Sequence, residues 1–152
     1  MEIRKATRED LCRIGEIYVF NNRINYFPIF KEEEYSFGYL QVDKVIERYF
    51  GKPEILESLY VADDNGIIKG FTELHGTEIE KLYVDPCFQS KGIGDKLIGY
   101  AISEHHSDFL WALEKNVRAI AFYHRHEFFE NGERKYEEDT VEWLVKLVRK
   151  TE

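Results

Sequence analysis

Polar and apolar residues alternate from Glu2 to Ala6, the period-two signature of a short strand. Thr7 follows as an N-cap with acidic Asp10 three positions on, and Leu11, Ile14, Ile17 and Tyr18 recur at helical spacing. That pattern predicts a helix to about Asn21. Periodicity then lapses from Asn22 to Leu40. Val45, Ile46, Tyr49 and Phe50 restore a helical face over Val42–Phe50, which Gly51-Lys52-Pro53 stops. Ser58–Ala62 alternates again, Asp63-Asp64-Asn65-Gly66 is a hairpin turn, and Ile67–His75 is the returning strand. Gly76-Thr77 turns the chain into Glu78–Val84, so three antiparallel strands follow one another.

Beyond Asp85-Pro86 a basic, glycine-containing loop leads into a helical pattern from Gly92, with Ile93, Leu97, Ala101 and Ile102 on one face. It fades at Glu104-His105-His106-Ser107. Phe109–Leu113 is an apolar strand expected to pair parallel to Glu78–Val84 through a right-handed crossover. Asn116–Tyr123 is helical again and Phe128-Phe129-Glu130 a brief strand. The charged stretch Glu130–Asp139 reads as a solvated turn. Val141, Trp143, Val145 and Leu147 alternate as a last strand, with a helix over Thr140–Arg149 as the alternative.

At 152 residues the chain suits one domain with one core. Hydrophobic residues make up 43% and aromatics 15%, including ten Tyr and eleven Phe, which excludes a disordered chain and implies an aromatic core or an aromatic-lined cleft. Acidic residues outnumber Lys and Arg by 29 to 21, a formal charge of −8, so a nonspecific grip on nucleic acid is not expected and a cationic substrate suits the field. Cys12 and Cys87 lack metal-like spacing and read as two ordinary reduced thiols. No cationic-then-apolar leader and no apolar run near 18 residues occurs, so a cytoplasmic protein without membrane contact is the expectation.

The segment Asn22–Leu40 is unusually aromatic. Tyr26, Phe27, Phe30 and Tyr35 lie there with acidic neighbours over Lys31–Glu34, and Pro28 reads as a breaker. A long irregular loop in a compact domain is a candidate for function. Aromatic faces beside carboxylates can hold an amine. A lid or a homodimer surface is the other reading.

Chemistry concentrates at two places. In Gln89-Ser90-Lys91-Gly92-Ile93-Gly94-Asp95, Gly92 and Gly94 carry no Cβ, so backbone N–H groups can close on a phosphate at a helix N-terminus, and Lys91 adds charge. A dinucleotide fingerprint fails at Leu97, and the Gly-Lys-Ser/Thr of a P-loop never occurs. Further on, Asn116, Ala119 and Tyr123 share one helix face by their spacings.

The loop resembles the Gln/Arg-x-x-Gly-x-Gly/Ala pyrophosphate motif of the GCN5-related N-acetyltransferases. Asn116-x-x-Ala119-x-x-Phe122-Tyr123 resembles that family's second signature, in the expected order and separation. The resemblance covers nearly the whole chain. It implies an α/β (α+β) fold, a mixed sheet of about six to seven strands flanked by about four helices and splayed between strands 78–84 and 109–113. Acetyl-CoA would be the cosubstrate, with no metal.

By motif position Leu82, Tyr83 and Val84 would offer backbone groups to the pantetheine arm, Gln89 to Asp95 would hold the pyrophosphate, and Asn116, Ala119 and Phe122 would flank the arm. Tyr123 would protonate the departing sulfur, and Glu78 or Glu80 would serve as base, the choice between them left open. The acceptor would be a primary amine, on a small molecule or a peptide. One departure is Glu127, where the family usually has glycine at the helix exit; the exit turn could differ and Glu127 could face the acceptor. A noncatalytic acyl-CoA-binding module and a nucleotide-binding domain are the rival readings.

Overall fold

The computed structural model describes residues 1–150. Seven strands form one sheet in the order β1-β2-β3-β4-β5-β7-β6: β1 Glu2–Lys5, β2 Leu59–Asp64, β3 Ile67–His75, β4 Glu78–Val84, β5 Phe109–Leu113, β6 Phe128–Tyr136 and β7 Trp143–Arg149. All neighbours are antiparallel except β4 and β5, which run parallel. Of six helices among the described residues, α1 Leu11–Asn25, α5 Ile93–His105 and α6 Val117–Arg125 are long. By contrast α2 Phe27–Phe30, α3 Val42–Val45 and α4 Pro53–Leu56 are single turns.

The β2–β3 hairpin closes where the sequence says it should, with Asn65 and Gly66 at φ 54° and 90°. Two positive φ values are what a twist-compatible two-residue turn requires. Above one face, α1 lays Ile14, Ile17 and Val19 on Val61 and Phe71, all fully buried, and Phe50 meets Phe71 edge-on at 5.6 Å. Burying each such side chain contributes roughly 1.5–3 kcal/mol. On the other face Ile98 and Ala101 of α5 join Ile79, Leu110 and Leu147, together with Tyr123 of α6.

Three expectations change. Asn22–Leu40 is not an irregular loop: α1 runs on to Asn25, α2 follows, and Glu34–Tyr39 makes a widened π-helical turn. Pro28 sits in the first turn of α2, where its missing N–H costs no helical bond. A non-local clamp holds the segment, for Arg23 donates to the Ser36 and Leu40 carbonyls at 2.9 Å each. The helix from Val42 likewise widens to a π turn over Ile46–Phe50. Finally, β6 is nine residues rather than three, taking in most of the stretch read as a solvated turn. As an edge strand exposed beyond Phe128, it has no buried face to impose alternation. The chain end is strand, not helix.

Two ion-paired ties fix the frame around β4. Arg4 of β1 bridges Asp10 and Asp63 at 2.9 Å each. Arg13 of α1 pairs with Asp85 at 2.9 Å and donates to the Ile68 carbonyl at 2.7 Å, pinning the exit of β4 to the first helix. No helix among the described residues is long and apolar enough to cross a membrane.

Candidate active site

Strands β4 and β5 stay in register for only two pairs, Glu78 with Phe109 and Ile79 with Leu110, and then part. The gap opens a cleft of about 1300 Å³. A bulge in β4 shapes its wall: β3 residues Glu73 and Leu74 face Lys81 and Ile79, leaving Glu80 as the extra residue. Ile79 and Leu82, three positions apart, therefore join the same apolar cluster on the α5 side, which strict alternation forbids. Glu78, Glu80 and Lys81 are left to the α1 side.

The loop after β4 is locally built. Asp85 accepts from the Cys87 N–H at 2.8 Å, so the chain makes a short turn over Pro86–Phe88 before reaching Gly92. Gly92 caps α5 at φ 83°, a left-handed conformation that suits glycine, and a Cβ there would point into open space. Gly94 is needed for contact instead: a Cβ would come within 3.1 Å of the Phe122 ring on α6. Phe122 thus rests directly on the glycine loop.

Helix α6 begins at Asn116, whose side chain accepts from the Ala119 N–H at 3.2 Å and so caps the helix. Tyr123 is 9% exposed, and burial, with Tyr26 adding to it, pushes its phenol well above the ordinary tyrosine range. The hydroxyl therefore stays protonated at neutral pH and can donate a hydrogen bond into the cleft. Burial also raises the Glu78 carboxyl, and the neighbouring Glu80 carboxyl, with which it interacts, raises it further. A carboxyl so placed exchanges protons nearer neutrality than a free one.

The cleft is lined by Glu78, Glu80, Leu82, Tyr83 and Val84 of β4, by Gln89, Ser90, Gly92, Ile93, Gly94 and Asp95, and by Asn116, Ala119, Phe122 and Tyr123. Tyr26, Phe30 and Tyr35 line it as well. Two expected residues stand apart. Lys91 is exposed with its ammonium 6.0 Å from the Phe88 ring, and Phe27 packs edge-on against Phe37 at 5.2 Å. Glu127 also lies outside the cleft, beside Arg149 at 3.7 Å, and it takes the glycine-like turn with φ 68°.

Sequence reasoning missed several wall residues. Asn21 is buried, donates to the Ile17 carbonyl and to the Val84 carbonyl at 2.9 Å, and accepts from Gln89 at 3.3 Å. It couples α1 to both the strand end and the loop. Its signal was an amide on the apolar face of a helix. Glu73, Lys81, Tyr49 and His75 form a second cluster: Glu73 is fully buried, accepts from Tyr49 at 2.6 Å, contacts His75 at 2.5 Å and lies 3.4 Å from the Lys81 ammonium. Lys81 lines the cleft. Cys12 and Cys87 are free and exposed, and no cluster of three metal-ligating side chains exists among the described residues.

Residues 56–130 match the family model of the acetyltransferase (GNAT) domain. No curated protein sequence matches the chain. The fold is shared with apo YjaB from Escherichia coli (21% identity, TM-score 0.71, 97% of this chain and 95% of that one). It is shared with the PaiA N-acetyltransferase of Thermoplasma acidophilum in complex with coenzyme A (20%, 0.68, 97% and 98%). A third is YncA, a putative acetyltransferase from Salmonella typhimurium with acetyl-CoA (21%, 0.68, 97% and 91%). Residues 56–130 thus carry the match to the acetyltransferase (GNAT) domain, and the described chain has the mixed-sheet fold of GNAT acetyltransferases.

Proposed function

We propose that residues 1–152 act as one N-acetyltransferase domain, cytoplasmic and metal-independent, that moves the acetyl group of acetyl-CoA to a primary amine within a ternary complex. The parting of β4 from β5 beside a glycine-capped helix carries this reading. Edge groups of a splayed strand can bind an extended pantetheine arm as a further strand would be bound. The α5 N-terminus with Gln89–Asp95 suits a pyrophosphate. Structural neighbours in complex with coenzyme A or acetyl-CoA support the choice of cosubstrate.

The cleft runs through the sheet. On the α5 and α6 side, Leu82 and Val84 provide strand backbone and Phe122, Ala119 and Asn116 flank the arm. On the α1 side, Glu78 or Glu80 takes a proton from the acceptor ammonium. The freed nitrogen lone pair forms the N–C bond at the acetyl carbonyl, whose oxygen gathers charge against a backbone N–H of the bulged strand. The C–S bond then breaks, Tyr123 gives its proton to the departing sulfur, and the surplus proton on the new amide nitrogen returns to the Tyr123 oxygen.

Release of CoA thiol from acetyl-CoA in the presence of amines tests this. Tyr123→Phe is expected to lower kcat by about 10²-fold or more while leaving acetyl-CoA affinity within about twofold. Equal turnover in variant and parent would remove Tyr123 from the mechanism.

A further inference from the structure

The proposed reaction fixes an amine but not what the rest of the acceptor carries. The α1 side of the cleft is not a neutral surface. Glu78 and Glu80 stand on β4, Glu32 beside α2, and Glu137, Glu138 and Asp139 on the β6–β7 connection opposite. Against these six carboxylates the lining presents the ammonium groups of Lys81 and Lys135 and, on α6, the guanidinium groups of Arg118 and Arg125. Lys81 sits 3.4 Å from the fully buried Glu73 and over the Tyr49 ring at 4.4 Å. Lys135 covers the Trp111 ring at 4.2 Å. The Glu73 oxygen nearest Lys81 has no hydrogen-bond partner, so its charge is left to offset that cation.

Shape narrows the choice. Tyr35 and Tyr39 stack at 5.7 Å and both line the cleft. Glu137 lines the same cleft as Tyr18, Tyr26 and Tyr35, so the β6–β7 connection and the α1–α2 segment are walls of one cavity. A slot between tyrosine faces and carboxylates suits a slim cationic chain, through cation–π and ionic contacts together. It does not suit an anionic molecule.

We infer, resting on the acetyltransferase reading above, that the acceptor is a linear diamine or polyamine. One amine reacts at Glu78 and Glu80, and a second ammonium is held by Glu137, Glu138 and the Tyr35 face.

The test compares kcat/KM for CoA-thiol release with 1,4-diaminobutane, spermidine, butylamine and a lysine-containing peptide, using the full chain. The diamine and spermidine are expected to exceed butylamine by about tenfold or more, mostly through KM. In Glu137→Gln/Glu138→Gln that ratio should collapse toward one, with an unchanged acetyl-CoA thermal shift showing that the variant is folded. Butylamine or the peptide matching the diamine, or a ratio untouched by the double variant, overturns the inference and leaves the acetyltransferase reading standing. Silence with every amine despite acetyl-CoA binding removes both.

Discussion

Removing the Glu73 carboxylate should unfold this protein more readily than almost any other single change near the cleft. Glu73 is fully buried in the middle of β3, and Lys81, with 14% of its side chain exposed, has its ammonium 3.4 Å away. In Glu73→Leu the Lys81 ammonium loses its buried partner and keeps only the part-exposed Glu80 carboxylate at 3.9 Å, and the Tyr49 hydroxyl loses its 2.6 Å acceptor. Breaking one side of a buried pair costs about 3–5 kcal/mol. For a chain of this length that corresponds to a fall in Tm of roughly 6–20 °C. The cost belongs to the stranded ammonium rather than to lost attraction, so Glu73→Leu/Lys81→Met should recover most of it. Urea unfolding of parent, single and double variants measures both numbers. A single variant within about 1 kcal/mol of the parent, or a double variant as unstable as the two singles summed, would refute the reasoning.

Two further outcomes follow from the cleft geometry. Because the Glu78 carboxyl is raised by burial and by Glu80, it is protonated over a wider pH range than a free glutamate; if it is the base, kcat/KM should fall as pH drops through that raised value. Glu78→Gln should remove that acid limb from the pH profile, and Glu80→Gln should move it to lower pH. The sign on stability is opposite, since ionising a group whose folded pKa is raised disfavours the fold, so Glu78→Gln should unfold at slightly higher temperature than the parent above that pH. Gly94→Ala should weaken CoA binding by about tenfold, because its Cβ meets Phe122 at 3.1 Å and pushes α6 away from the loop, as calorimetric titration would show.

Much of this was legible because its signals are local. The β2–β3 turn is written in Asn65-Gly66, and the strands Ile67–His75, Glu78–Val84 and Phe109–Leu113 have the bounds their alternation and flanking turns indicate. The helix start at Gly92 follows from glycine at a position that needs positive φ. What escaped the sequence depends on partners far away in it. Asn22–Leu40 is helical because Arg23 ties it together across 13 and 17 positions, not because its aromatic residues favour helix. β6 has no buried face beyond Phe128 to produce a pattern. The bulge at Glu80 is a register event with no glycine to announce it, and Glu73 shows itself only once Lys81 is placed opposite. Glu127 has the opposite lesson: a residue other than glycine can still take the left-handed exit turn, at a cost of about 1 kcal/mol or more.

Thermal unfolding of the purified chain with and without about 1 mM acetyl-CoA tests the central claim most directly. Binding to the folded state alone raises Tm, and a hundredfold excess over Kd corresponds to about 2.7 kcal/mol. The splayed cleft and glycine loop predict a clear upward shift with acetyl-CoA that ATP at equal concentration does not match. No shift with acetyl-CoA, or a larger one with ATP, would contradict the acetyltransferase account.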